Sequence, residues 1–493
     1  ATLVQGAASQ RYGAGANAGV LLLTSRIGEG AGMSGALRMG SFGERGVDIQ
    51  GNASRGGQRL AVSLSAGKAK NDFSFRNPDV LGSLPETRRN ADAASLHAAI
   101  RAASGPAYGS LRFDRTERGV PGRAGTSVFA ESRAEDRSWI LAGGLEMAGV
   151  RGSASFGRHD LGYRGTSFDS PSEQSVRELR VAGDVDLPAI PVTAGGRLSR
   201  EDVRGDGITG RPGRTVVGGR LAAALRAGRF RLDPAVSADL AGDRVIPSLE
   251  LSATWVPGSG TRVWGRVGQG FRLPTFGDLY FASQYQLRAN PELEPERISF
   301  DSELGVGVRA MTGAVDFEGS ATGWARRTED PIVWLASSVA LWSPRNLGEL
   351  WATGLDLQLQ MVSRARTRLG WRAQIAGTLR RSRVGYGSNR NALPYEPGAT
   401  GRLSLEGWSG ATGARADLRF TGSRTTSLAA TRTLGGFATV DVSARHHLEA
   451  GSLRVGLFAR IENVFDRRYQ LIELFPEPGR HFTLRLEARR TAP

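Results

Sequence analysis

Apolar and polar residues alternate along nearly the whole chain. In residues 480–489 ("RHFTLRLEAR"), Phe482, Leu484, Leu486 and Ala488 fall on one face, while His481, Thr483, Arg485, Glu487 and Arg489 fall on the other. Within 354–361, Leu355, Leu357, Leu359 and Met361 oppose Asp356, Gln358 and Gln360. In 298–309, Ile298, Phe300, Leu304, Val306 and Val308 oppose Ser299, Asp301, Glu303 and Arg309. The same pattern occurs early, at Leu60, Val62, Leu64 and Ala66, and late, at Leu453, Val455, Leu457, Ala459 and Ile461. A period of two predicts strands. No segment of comparable length carries the helical period.

From Met33 onward, segments of roughly ten residues alternate with turn signals, the length a membrane-spanning strand needs. Short turns such as "SRGG" (54–57), "RAGR" (226–229), "PGSG" (257–260), "RAMTG" (309–313) and "WSGATG" (408–413) alternate with long irregular segments. The long segments centre on 68–90, 115–135, 159–173, 271–298, 327–350, 384–398, 421–436 and 462–479. The tally is twenty-two strands. The predicted fold is all-β: a 22-stranded antiparallel transmembrane β-barrel, with both ends of the strand series on the short-turn side. Closure removes the sheet edges that lipid could not satisfy. Pro234 falls inside a predicted strand, "RFRLDPAVSADL". It cannot donate to the ladder, so a bulge or shortened pairing is expected there.

Composition fits this class. The chain has 493 residues, 67 glycines, five methionines and no cysteine. Its mean hydropathy is negative, and no run of eighteen apolar residues occurs, which excludes a helical membrane protein. A barrel strand hides its membrane signal because only alternate residues face lipid. Absence of cysteine fits an oxidising compartment without a disulfide scaffold. Net charge is +16, and only Lys68 and Lys70 are lysine. The excess predicts an anionic partner such as a phosphate-rich membrane surface. The arginines are spread between apolar residues rather than gathered in a stripe, which argues against nucleic acid.

Motifs for catalysis are lacking. The opening run "RYGAGANAGVLLLTSR" (11–26) has glycines at 13, 15 and 19, but they precede the strand-like run 20–24 instead of following a strand. A dinucleotide loop has the reverse order, and no G-K-[ST] follows. The histidines are His97, His159, His446, His447 and His481; they form no H-E-x-x-H, and no G-x-S-x-G appears. His446 and His447 are adjacent on a strand and point to opposite faces, so they do not share a metal. No catalytic or metal residue is assigned, and the chain is not expected to be an enzyme.

A family resemblance covers essentially the whole chain. "RIENVFDRRYQLIELFPEPGRHFTLRLEAR" (460–489) resembles the closing hairpin of TonB-dependent outer-membrane receptors. "GQGFRLPTFGDLYF" (268–281) with "NPELEPERISFDSELGV" (290–306) resembles their mid-barrel signature, and "DPIVW" (330–334) and "ATGLDLQLQ" (352–360) resemble further family segments. The opening stretch 4–26 resembles the last part of the family's plug domain. This implies a division into a plug remnant at 1–30, including Arg11, Tyr12, Gly13, Gly15 and Gly19, and a barrel at 31–493. The stretch 71–96 resembles the cobalamin-receptor subgroup.

The resemblance implies a receptor in the outer membrane of a Gram-negative bacterium, monomeric, with both termini periplasmic. It would take up a scarce nutrient, such as cobalamin, an iron–siderophore or a similar chelate, using energy delivered by TonB. TonB would grip a segment upstream of the present residue 1, which the family's plug also precedes. The outer-membrane assembly machinery and lipopolysaccharide are implied partners. The family's terminal aromatic residue is replaced here by "RRTAP" (489–493). Candidate ligand contacts on the long loops are Arg272, Tyr280, Phe281, Tyr285, Trp334, Trp342 and Arg345. Aromatics offer rigid contact area and arginine pairs with carboxylate or phosphate; a place in the interfacial girdle is the alternative for the aromatics. No cofactor is expected, although "FDSPSEQ" (168–174) and "EDVRGDG" (201–207) carry carboxylates that could hold calcium in the loops. Two alternatives stand beside this reading. One is a piece of a longer receptor. The other is a plugless passive pore, whose luminal arginines, Arg309, Arg454, Arg460 and Arg485 among them, would favour anions.

Overall fold

The computed structural model describes residues 2–5, 19–22, 27, 30–77, 85–125, 131–165, 171–281, 287–336, 342–364, 369–386 and 389–491. Twenty-two antiparallel strands form one closed barrel. The ring closes where the first strand, Gly32–Gly40, pairs with the last, His481–Thr491, in the register Gly32↔Thr491 to Gly40↔Thr483. Strands run from 9 to 17 residues. The first strand begins and the last strand ends on the side of the tight turns, as the even count requires. Before the barrel, Thr2–Gln5 and Gly19–Leu22 pair antiparallel. Gly19 thus opens a strand, whereas Arg11, Tyr12, Gly13 and Gly15 lie outside the described residues.

The alternation sorts side chains between lipid and lumen. Leu304, Val306 and Val308 are exposed on the outside of strand Glu296–Thr312. Inward, Asp356 accepts from Thr378 Oγ1 at 2.5 Å, and the Gln374 amide donates to Gln360 Oε1 at 2.8 Å. Outward aromatics gather near both rims, with Phe230 stacked on Trp255 at the tight-turn end (centroids 5.8 Å apart) and Trp351 beside Arg327 at the loop end. Amphipathic rings favour those levels, where an apolar body meets a polar edge. At the tight-turn end, Gly56 and Gly57 both take positive φ, 57° and 80°. Two successive left-handed residues make the hairpin turn whose twist matches the strands, and glycine adopts it without a Cβ penalty.

The two-size rule for turns has two exceptions. Residues 41–44 and 242–243 are tight connections on the long-loop side. Beside the first, neighbouring long segments close over the gap: Lys70 N donates to Phe42 O at 2.9 Å, and Phe482 N donates to Ser41 Oγ at 3.0 Å. Pro234 behaves as expected. It pairs across strand Phe230–Ala241 with Leu251 of Arg244–Gly258, but on its other side the neighbour breaks into Gly213–Ala223 and Leu225–Ala227. Ala224, between the two pieces, donates to Pro191 O instead.

Several carboxylates inside the barrel are each matched by two arginines. Asp441 accepts from Arg419, from Arg460 Nη2 at 2.8 Å and from the Asn463 amide at 3.0 Å. Asp417 accepts from Arg402 Nη2 at 2.8 Å and Arg415 Nη2 at 2.9 Å, and Asp301 from Arg326 Nε at 2.9 Å and from Arg266. Loss of the Asp441 charge leaves Arg419 without this partner and Arg460 with Glu462 alone. Asp441→Asn is therefore expected to lower barrel stability by about 1–3 kcal/mol. Denaturant unfolding in lipid vesicles would show this as a lower midpoint, and an unchanged midpoint would contradict it.

Candidate functional site at the long-loop rim

The start of the long connection, residues 273–281, folds back against the inner wall of the barrel. Thr275 and Asp278 start its single helical turn, Phe276–Tyr280, as a reciprocal capping box. Thr275 Oγ1 accepts from the Asp278 amide at 3.0 Å; the Asp278 carboxylate accepts from the Thr275 amide at 3.0 Å and from its hydroxyl at 2.8 Å. A short oxygen-bearing side chain followed three residues later by a carboxylate satisfies two otherwise orphaned amides. The turn rests on the inner wall of distant strands. The Gln174 amide, at the loop end of Ser172–Asp186, donates to Tyr280 O at 2.7 Å. Arg214, at the start of Gly213–Ala223, donates to Pro274 O at 2.5 Å and lies 4.9 Å over the Phe276 ring.

Asp278 also joins this turn to the next long connection, 330–348, which forms a hairpin of Ile332–Ala336 and Trp342–Asn346. Its buried carboxylate accepts from Trp334 Nε1 at 3.0 Å and stands 3.7 Å from Arg272 Nη1. Arg272 Nη2 donates to Glu296 Oε2 at 3.0 Å, and that oxygen also accepts from the Ile332 amide at 3.1 Å. Asn290 Nδ2 donates to Pro344 O, and Asn346 Nδ2 donates to Glu294 O. Two loops are thereby locked into one body by charge-assisted hydrogen bonds, the stronger kind. Exposed Glu294 is held below the usual carboxylate range by the hydrogen bond from Arg244.

Of the predicted contacts, Arg272 and Trp334 come together on Asp278. Tyr280 ends the helical turn, with its ring 5.9 Å from Phe276, and half-buried Phe281 follows it. Trp342 lies on the hairpin, where its carbonyl accepts from the Arg288 amide at 2.9 Å. Arg345 is exposed on the same strand. Tyr285 lies outside the described residues. Asp278, Glu296, Gln174 and Arg214 were not singled out from sequence. The Thr275–Asp278 spacing was a readable signal for the first of them. The contacts of Gln174 and Arg214 span 106 and 60 residues and left no local mark.

Two other expectations meet the structure here. Of the calcium stretches, 168–170 lie outside the described residues, while Glu201 and Asp202 pair with Arg214 (2.6 Å) and Arg211 (2.7 Å). Three of the four lumen arginines are ion-paired: Arg454 with Glu449, Arg460 with Asp441, and Arg485 with Asp48 at 3.0 Å.

The family of TonB dependent receptor-like β-barrels matches residues 30–464. The chain belongs to the TonB-dependent receptors. The receptor is 27% identical over 229 residues to the vitamin B12 transporter BtuB of Vibrio vulnificus (strain YJ016). That match covers 41% of this chain and spans 30% of the relative's length. Its fold is that of the siderophore receptor PirA from Acinetobacter baumannii, with TM-score 0.76, 13% identity, and 99% of this chain and 84% of that one covered. The ferric enterobactin receptor PfeA of Pseudomonas aeruginosa, as an R480A mutant, superposes with TM-score 0.77 at 15% identity, covering 99% and 85%. Family and closed barrel place the receptor in the bacterial outer membrane.

Proposed function

We propose that this receptor carries a scarce chelated nutrient across the outer membrane by TonB-dependent uptake, without covalent chemistry on its cargo. One observation carries the reading. In a wide closed barrel, two connections on the long-loop side are locked to each other, and one of them to the inner wall, which supports a gated mouth rather than an open pore. Family membership supports it, as do a relative named for vitamin B12 and fold neighbours named for siderophores. The cargo class is cobalamin, an iron–siderophore or a similar chelate. Residues 1–30 are assigned to the end of the plug and 31–493 to the barrel, with TonB gripping a segment further upstream. Lipopolysaccharide contacts exposed arginines, the outer-membrane assembly machinery inserts the barrel, and the receptor acts as a monomer. The pairing of Arg454, Arg460 and Arg485 weighs against an anion-favouring lumen, because paired charges leave little field to select with.

The test is uptake of radiolabelled cyanocobalamin and of ferric chelates by cells carrying the native protein as their single receptor, with and without TonB. Accumulation that disappears without TonB is expected, together with an intact mass above 52.5 kDa for the protein extracted from outer membranes. Solute permeation that is indifferent to TonB, at a mass near 52.5 kDa, would replace the reading with a passive pore.

A further inference from the structure

A second recess lies on the other side of the mouth. In strand order it lies six to ten strands from the connection that carries Asp278, among the connections 70–92, 422–436 and 463–480. Its cavity measures about 660 Å³, and its lining includes Phe75, Phe437, Tyr469, Arg76, Arg467 and Arg468. That volume is within the range of small-molecule sites. Phe437 is buried at the loop end of Phe437–Ala450 and stacks on Tyr469, with centroids 4.3 Å apart and planes at 26°. Phe75 meets Phe73 edge-on at 6.5 Å.

At several places in the barrel interior arginines face carboxylates, as at Asp301, Asp417 and Asp441. The guanidinium groups of Arg467 and Arg468 have no carboxylate partner and no side-chain hydrogen bond among the described residues. Yet the backbone that carries them is tightly fixed. Asn463, itself buried and bonded through its amide to Asp441, accepts from the Arg467 amide at 2.8 Å and donates to Arg467 O at 2.8 Å. Asp466 Oδ1 accepts from the Arg480 amide at 2.8 Å. Asn463 and Asp466 both hold positive φ, 52° and 54°, in this turn. Two carboxylates, Asp466 and Glu477, also line the recess. Asp466 Oδ1 is engaged by the backbone, and burial pushes the Glu477 carboxyl up against the attraction of Arg88. A fixed turn that carries two unspent guanidinium groups beside stacked rings offers an anion its charge partners.

We propose that this recess binds a planar-ring organic carboxylate: the ring lies against Phe75 and the Phe437–Tyr469 stack, and the carboxylate meets Arg467 and Arg468. Ring faces stack and guanidinium pairs with carboxylate in two-point geometry. The site is separate from the Asp278 cluster and does not rest on energised uptake, so its failure and that of the transport reading are distinguishable.

The probe is 2-naphthoate, titrated into the purified receptor in amphipol, against neutral 2-naphthamide and non-planar cyclohexanecarboxylate. Naphthoate is expected to bind at least about tenfold more tightly than either. Reversing charge with Arg467→Glu and Arg468→Glu together should weaken it by about tenfold or more, the Lys pair should restore part of the affinity, and Arg55→Glu at the tight-turn end should change nothing. Heat-modifiable migration of each variant verifies that the barrel is folded. Equal affinity for naphthoate and naphthamide, no naphthoate binding, or binding indifferent to the Glu pair would each overturn the proposal.

Discussion

Asp278→Ala is expected to release the inward-folded segment 273–281 while leaving the barrel closed. The carboxylate accepts from the Thr275 amide and hydroxyl and from Trp334 Nε1, and it stands beside Arg272. Its loss removes one helix cap, worth roughly 1 kcal/mol. It also strands an indole N–H in a half-buried setting, at a cost of about 1–3 kcal/mol. The barrel is indifferent because the strands on either side, Thr261–Arg272 and Glu296–Thr312, keep their own ladder. Opening of the segment should rise by roughly one to three orders of magnitude. Hydrogen exchange over 273–281 reads this directly, and protease added to whole cells should cut there first. Asp278→Asn, which retains acceptors but not the charge on Arg272, should fall between. If exchange in the alanine variant matches the parent, the segment is held by Gln174 and Arg214 alone. Under the uptake reading, the same substitution should cut transport about tenfold, because a mouth that no longer assembles loses the preorganisation binding needs.

Gly305→Val is expected to lower the amount of folded barrel that accumulates. Trp264 lies across Gly305 and Gly307 of the neighbouring strand, and a Cβ at Gly305 would occupy the space of the indole. The arrangement recurs at Trp324 over Gly354 and at Trp408 over Gly370. An aromatic laid flat on a cross-strand glycine covers backbone that the glycine leaves bare. The same stacking keeps a large side chain from projecting into the lumen. With valine in place, Trp264 must swing out, losing its contact with Arg262 at 4.7 Å, or the strands must part. Overpacking of this kind costs about 1–3 kcal/mol or more. The readout is the fraction of heat-modifiable, folded protein recovered from outer membranes. Trp264→Val combined with Gly305→Val should recover part of the loss, since each change removes the reason for the other's cost. Equal yields from parent and Gly305→Val would show that the indole has another resting place.

Much of the architecture is a local property of the chain. Alternation in 354–361 or 480–489 needs no distant partner to specify a strand and its two faces, because successive side chains on extended backbone point opposite ways. Twenty-two such segments, with turn chemistry between them, imply closure and the side on which the series begins and ends. Pro234 marks its own break, and Thr275 with Asp278 marks its own helical turn. What the residues do to one another across the barrel is different in kind. Arg485 meets Asp48 across 437 residues of sequence. Arg460 and Arg419 find Asp441, and Gln174 and Arg214 receive the segment 273–281, only after register and ring closure set which strands are neighbours. A spread of arginines therefore reads in sequence as a basic lumen, whereas the folded barrel sets many of them against carboxylates. Arg467 and Arg468, beside Phe437 and Tyr469, are among those left over, which is visible only by that subtraction. Periodicity is an interaction of each residue with its immediate backbone, so the sequence alone decided strands, faces and closure. Pairing of side chains depends on positions hundreds of residues apart, so only the tertiary structure decided which charges are spent, which loops lock and where an anion finds room.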